Sequence, residues 1–384
     1  MSQENTKELF VLLRSAIRGE KLTEKNSYSL EQLYGLLKIS SKHDLDHFLA
    51  LGLKQNELIS QKDIEIDKCI LKAVYRYEQL NYEYKNLCDI FEAKGIPFIP
   101  LKGSVIREYY PEPWMRTSCD IDILIHTDDI ERASALLVDE CGYTFERKGS
   151  HDVSFLAPNN MHIELHYDLI EEGCANLSAE VLASVWENTV VRAGFEYWYE
   201  MTDEMFYFYH IAHMAKHFEE GGCGIRPFID LWILDNIEGV DHFKRDELLK
   251  KGNLLKFAES VRKLSRVWFG SEKRDSVSQQ IESYILCGGV YGSTQNRVII
   301  QQQKHGGRLK YAFSRIFIPY DTIKFHYPIL EKHRWLTPIM EVRRWCKLIF
   351  CGRIRHSLRE LKYNGDISTE DALATQHFLN DIGL

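Results

Sequence analysis

The stretch RTSCDIDILI, residues 116–125, places two aspartates, Asp120 and Asp122, one residue apart at the head of an apolar run. Ile121, Ile123, Leu124 and Ile125 are apolar and mostly β-branched, which favours a buried strand. Side chains alternate along a strand, so residues i and i+2 share a face. The spacing therefore predicts two carboxylates side by side at the mouth of a buried strand. Like charges so close repel, and removal from water makes the repulsion worse. A fold that keeps this pair must bring positive charge to it.

The rest of the chain predicts what surrounds that strand. Residues 1–94 read as a helical region. In NSYSLEQLYGLLKI, Ser29 stands at a capping position and Leu30, Leu33, Leu36 and Leu37 share a helix face. Asp63 to Lys94 contains neither glycine nor proline, which favours one long helix ended by Gly95. Residues 95–175 read as an α/β core. IPFIPL is a short strand-like run that stops at Lys102-Gly103-Ser104, and VIREYYPEP is a short helix ended by prolines. Asp128 or Asp129 is placed to cap a helix through IERASALLVDECG, with Ala133, Leu136, Leu137 and Cys141 on one face. YTFER, HDVSFLA and MHIELHYDL alternate as strands do, with Pro158-Asn159-Asn160 as a turn. Residues 176–384 read as helical again. The expected class is α+β, a small mixed sheet flanked by helical N- and C-terminal regions.

Bulk properties narrow the function. The 384-residue chain has a formal net charge of −8, which argues against nucleic-acid binding by overall electrostatics. MSQENTKELF lacks the apolar core of a signal peptide, and no apolar run has the length of a membrane span. The expectation is a cytoplasmic protein with no membrane partner. Nine scattered cysteines form no CxxC pair, so reduced, mostly buried thiols are expected.

If the aspartates bind metal, a third acid is expected from a neighbouring strand. MHIELHYDL supplies Glu164, with Ile163 and Leu165 on the opposite face. Upstream, Lys102-Gly103-Ser104 ends a strand and opens a helix. Glycine allows close backbone approach, and a helix N-terminus attracts anions. Lys102 and Arg116 add cationic donors suited to phosphate. Magnesium prefers oxygen ligands and usually takes one or two carboxylates plus substrate phosphates. Three carboxylates could hold two magnesium ions, or manganese in their place, against a nucleoside triphosphate. Chemistry at phosphorus is mostly positioning and charge neutralisation, and this constellation suffices for it.

LKGSVIREYYPEPWMRTSCDIDILI, then HIELHYDL, then HIAHMAKHFEEGGCGIRPFIDL together resemble a bacterial family of uncharacterised nucleotidyltransferases. That family belongs with the nucleotidyltransferase superfold of DNA polymerase β. The resemblance runs from about Gly95 to Asp230 and extends to GGVYGSTQNRV and FIPYDTIKFHYPIL. It implies a nucleotidyl-transfer fold and magnesium; the leading expectation built on it is an enzyme that moves a nucleoside monophosphate from a triphosphate to a hydroxyl-bearing acceptor and releases pyrophosphate. It implies that Asp120 and Asp122 hold both metals, and that Glu164 holds the metal activating the acceptor or acts as base. It implies that Gly103 and Ser104 bind the β and γ phosphates. It does not imply a particular acceptor.

Other features have competing readings. His210, His213 and His217 share one helix face. A zinc site completed by Asp230 is the sharp reading, and a polar stripe facing a cleft is the simpler one. The resemblance makes His213 and His217 candidates for nucleotide or acceptor contacts. His151, His162 and His166 flank Glu164, and His162 and His166 share its face; one of them orients a substrate hydroxyl or shuttles a proton, or they are plain surface histidines. Glu220 to Arg226 is a glycine-rich turn that either cradles phosphate, with Arg226 as donor, or merely connects two helices. Residues 331–362 carry nine Lys or Arg against three Glu, interleaved with Trp335, Trp345, Leu348, Ile349 and Phe350. A solvated helix face with those apolar residues in the core is the simpler expectation; RNA, DNA or an anionic membrane surface is the alternative. Two rival functions follow: a nucleotide- or RNA-binding regulator without turnover, and a toxin-like nucleotidyltransferase acting on tRNA or protein.

Overall fold

The alternating segments are realised as one five-stranded mixed sheet. Its strands are β1 (Phe98–Pro100), β2 (Asp120–Ile125), β3 (Thr144–Lys148), β4 (Asp152–Leu156) and β5 (His162–His166). Their order is β1-β2-β5-β4-β3; β2 and β5 are parallel and the other pairs antiparallel. The computed structural model describes residues 3–23, 27–59, 64–170, 176–350, 360 and 362–384. The chain divides into two units, Met1–Met214 with Ile225–Glu282, and Ala215–Gly224 with Ser283–Leu384.

The sheet belongs to the first unit and has two unlike faces. Ile121, Ile123 and Ile125 of β2, Ile163 and Leu165 of β5, and Val153 and Phe155 of β4 turn to one side. There they pack with Leu80, Tyr84, Leu87 and Phe91 of a long helix, in a cluster from which water is excluded. Each large apolar side chain buried this way contributes about 1.5–3 kcal/mol. The other face carries Asp120, Asp122, Glu164, His166, Asp152 and Ser154, as the period of two requires.

Helices α1 (Gln3–Arg18), α2 (Leu30–Lys42), α3 (Asp46–Gln55) and α4 (Ile64–Ala93) precede the sheet. Ser29 caps α2 in a reciprocal capping box with Gln32, and Gly95, with φ +64°, follows α4. These helices, expected as a region of their own, lie in the same unit as the sheet. Within that unit are also α5 (Gly103–Ile106), α6 (Ile130–Ala135), α7 (Asn176–Ala183), the part of α8 (Asp203–Glu219) up to Met214, α9 (Arg226–Asp235), α10 (His242–Lys251) and α11 (Leu255–Phe269). The helix predicted through residues 130–142 is α-helical only over α6 and widens to a π-helix over Leu136–Glu140. Asp129 precedes it but makes no side-chain cap.

The 176–384 segment is not helical throughout. Strands β6 (Thr189–Val191) and β7 (Tyr199–Met201) form an antiparallel ribbon. Its return segment is tied to the sheet edge, where the Phe98 amide donates to the Tyr197 carbonyl at 2.9 Å. Trp198 packs on Phe98, with ring centroids 5.4 Å apart, and Arg192 covers the indole at 4.5 Å. Three-residue strands carry too little alternation to be read from sequence.

The second unit contains α13 (Thr294–Lys304), which follows α12 (Ser276–Cys287), then α14 (Arg308–Ile316), α15 (Tyr320–His326), α16 (Ile329–Lys332), α17 (Thr337–Phe350) and a last helix, Thr369–Ile382. Val298, Ile299, Tyr311 and Ile367 form a small core within it. Its glycine turns meet backbone to backbone. A Cβ on Gly292 would lie 2.4 Å from the Gly222 carbonyl oxygen and 2.5 Å from that of Gly221. A Cβ on Gly221 would in turn lie 2.8 Å from the Arg297 amide nitrogen and the Ser293 carbonyl oxygen, so close packing is one reason for glycine at both positions. Trp335, Ile349 and Phe350 of the basic segment are exposed rather than in the core as expected, while Trp345 and Leu348 are half-buried. Residues 351–359 and 361 of that segment lie outside the described residues. Of the described cysteines only Cys88 and Cys223 are buried; Cys119, Cys287 and Cys346 are exposed. Among the described residues no helix is long and apolar enough to cross a membrane.

Candidate active site

The site forms where the polar face of β2 and β5 meets the turn after β1. Parallel register sets Asp120 opposite His162, Asp122 opposite Glu164, and Leu124 opposite His166. Asp122 is 4% exposed. Its Oδ1 accepts from Lys102 Nζ at 3.0 Å and from His166 Nε2 at 2.9 Å. Burial pushes the Asp122 carboxyl up, but Lys102 and His166 override it and hold it well below the usual carboxylate range. Burial also works against the Lys102 ammonium, and Asp122 overrides that, raising it above an ordinary lysine. Asp120 and Glu164 are both shifted upward, by burial first and by the charge of Asp122 second.

The turn itself is strained. Lys102 has φ +47° and ψ −121°, a conformation that residues with a Cβ rarely adopt. Such strain persists only where its surroundings enforce it. Here Arg107 braces the turn: its Nε donates to the Gly103 carbonyl at 2.6 Å and its Nη2 to Ser118 Oγ at 2.9 Å. A Cβ on Gly103 would lie 3.3 Å from Arg116 Nη1, so glycine is the residue that fits this turn without displacement. Ser104 is 3% exposed, and its Oγ finds no hydrogen-bond partner among the described residues. A buried hydroxyl left so costs stability unless a ligand satisfies it.

Around Glu164 the sheet supplies more charge. A bulge in β3 between Phe145 and Arg147 sets Arg147 opposite Ser154, on the site's face. Arg147 Nη2 then lies 2.8 Å from Asp152 Oδ2 and 3.4 Å from Glu164 Oε1. His162 Nε2 pairs with Glu146 Oε2 at 2.9 Å, and its Nδ1 is 3.8 Å from Glu164 Oε1. From α8, Tyr209 faces the cluster: burial first raises its hydroxyl pKa, and Lys102, Asp122, Glu164 and Asp120 are the charges that act on it. The His213 ring lies 6.2 Å from that of Tyr209.

Arg116 and Arg226 are occupied within the protein. Arg116 Nε donates to Asp230 Oδ1 at 2.7 Å, and Tyr110 Oη donates to the same oxygen at 2.6 Å. Arg226 Nη1 donates to the Thr117 carbonyl at 2.7 Å and lies 3.4 Å from Asp44 Oδ2. Both remain near enough to Asp120 to lower its pKa, against burial and Asp122. His210 Nε2 faces the Pro227 carbonyl at 3.1 Å, Asp230 is bonded by Arg116, and among the described residues the helix histidines and Asp230 do not form a group of three potential metal ligands. His217 belongs to the second unit. Arg107, Arg147 and Tyr209 were not singled out from sequence. The only signal for them was their nearness in the chain to the turn, to β4 and to the histidine helix.

The donor set suits a divalent cation. Ligand atoms of Asp122, Glu164 and His166 all lie within 4.8 Å of one another, the one such group among the described residues. Asp120 shares the strand face of Asp122 but is not in that group. Paired carboxylates that raise one another's pKa are relieved by a cation between them.

The sequence profile described as uncharacterised nucleotidyltransferase matches residues 32–270. No curated protein and no solved structure was found to match the chain. The matched span includes the strained turn, both acidic strands and the helix bearing Tyr209, and by that match the chain belongs to the uncharacterised nucleotidyltransferase family.

Proposed function

We propose that the protein transfers a nucleoside monophosphate from a nucleoside triphosphate to a hydroxyl-bearing acceptor and releases pyrophosphate. One observation carries this reading: Asp122 and Glu164 are register partners on parallel strands, and Lys102 of the strained turn reaches Asp122. Asp122 and Glu164, with Asp120 beside them, would hold magnesium. That ion, when bound, neutralises charge on the attacking and leaving oxygens. Gly103 and Ser104 take the β and γ phosphates, with the Ser104 hydroxyl donating to a phosphate oxygen. Lys102 shifts between Asp122 and the triphosphate. Arg116 and Arg226 act as fixed positive charges behind Asp120, and Tyr209 and His213 line the nucleotide or acceptor space. Glu164 stands on the acceptor side, where its carboxylate helps hold the ion or takes the hydroxyl proton. The acceptor oxygen attacks the α-phosphorus in line, and the bond to the β-phosphate bridge oxygen breaks.

The test is isothermal titration of each of the four common triphosphates, with and without magnesium, into wild type and Asp122→Asn. Magnesium-dependent binding that the variant loses supports the reading and identifies the base. A folded Asp122→Asn protein that binds as wild type does would remove Asp122 from the site.

A further inference from the structure

We propose that His166 is a metal ligand, and that Asp122, Glu164 and His166 form a mixed oxygen–nitrogen site that prefers manganese to magnesium. The inference rests on the metal-dependent reading above and deepens it. A purely acidic site has only oxygen donors, and oxygen suits magnesium. An imidazole among the donors moves preference toward transition divalent ions, whose affinity for nitrogen is greater.

The position of His166 follows from the strand. Residues 162, 164 and 166 of β5 share one face, so His166 and Glu164 necessarily project together. Register alone would set His166 beside Leu124, two pairs beyond Asp122. The side chain instead leans back along the sheet, and its Nε2 lies 2.9 Å from Asp122 Oδ1 and 3.7 Å from Glu164 Oε2. The one ring nitrogen that faces the cluster is therefore aimed at both acids. His166 is 4% exposed, so the imidazole is held between two carboxylates with little access to water. The His151 ring lies 5.9 Å from that of His166, inclined by 27°. To act as a ligand, His166 must be neutral with its proton on Nδ1, leaving the Nε2 lone pair for the ion. In that state the hydrogen bond to Asp122 is exchanged for a shared cation.

The experiment titrates manganese chloride and magnesium chloride separately into the full chain, by calorimetry, for wild type, His166→Ala and His166→Gln. Nitrogen coupling to bound manganese is read by pulsed electron paramagnetic resonance. Wild type should bind manganese more tightly than magnesium and show histidine nitrogen coupling. In His166→Ala that coupling should vanish. Manganese affinity should fall by at least roughly the ten- to hundredfold that loss of an outer-shell partner already costs. His166→Gln returns an oxygen donor of similar reach, and should keep magnesium binding, lose the nitrogen coupling and narrow the manganese preference. Wild type that binds both ions equally, or manganese bound without nitrogen coupling, overturns the proposal and leaves the nucleotidyltransferase reading standing. Wild type that binds neither ion, with or without a triphosphate, overturns both. Should the variants fail to fold, the wild-type spectrum decides alone.

Discussion

Arg116 donates its Nε to Oδ1 of Asp230, 2.7 Å away and 114 residues later in the chain, and both side chains are almost wholly removed from water. Tyr110 donates to the same carboxylate oxygen. The pair joins the segment leading into β2 to helix α9, and so fixes the approach of the chain to that strand.

Removal of one member leaves the other charge buried and unpaired. Asp230→Ala should therefore lower the stability of the first unit by about 3–5 kcal/mol, with Arg116→Ala in the same range. Urea denaturation followed by circular dichroism measures this. A loss under about 1 kcal/mol, the value of an exposed pair, would show that the bond is not held in the folded protein.

The strain at Lys102 is separable from its charge. Lys102→Ala and Lys102→Gly both remove the ammonium from Asp122, but only glycine adopts φ +47° and ψ −121° at little cost. The glycine variant should be the more stable of the two by about 1–3 kcal/mol. At an ordinary position the order is reversed, because glycine loses more backbone entropy. An alanine variant as stable as the glycine variant would remove the claim of strain.

His43 makes stability depend on pH. Its ring is 1% exposed with neither nitrogen hydrogen-bonded among the described residues. Burial, aided by Lys42, pushes its pKa down to about 4. The unfolded chain takes up this proton near pH 6.5, and the folded chain refuses it until about pH 4. Stability from this group is thus complete above about pH 6.5, declines as pH falls toward 4, and changes no further below that. The total is on the order of 3 kcal/mol. The unfolding free energy of wild type minus that of His43→Leu, measured from about pH 7 to about 4.5, should fall steadily with acidity. A difference independent of pH would mean that His43 is protonated equally in both states.

Local pattern was enough to find the acidic strands and the turn. DIDILI and HIELH alternate too regularly to be anything but half-buried strands, and Lys102-Gly103-Ser104 breaks the chain between a strand and a helix. The capping box at Ser29 and the uninterrupted run through residues 64–93 were legible for the same reason: the information lies within a few residues. The β6–β7 ribbon was not legible, because Val190 and Val191 are exposed and its anchor, Trp198, acts through a distant partner, Phe98. The π-helical widening after Ala135 carries no residue that announces it.

The sequence by itself determined which side chains share a face: Asp120 with Asp122, and His162 with Glu164 and His166. The two-residue period of a strand allows no other arrangement. Only the tertiary structure decided that these two faces adjoin. Parallel pairing of β2 with β5 is set by the crossover through α6, β3 and β4, and no local code specifies its register. That register places Glu164 beside Asp122 and brings His166 within reach of both. It was likewise tertiary packing that turned Arg116 toward Asp230 and delivered Arg147 across a bulge. A charged side chain announces its need for a partner in the sequence, but three-dimensional proximity chooses which partner it finds.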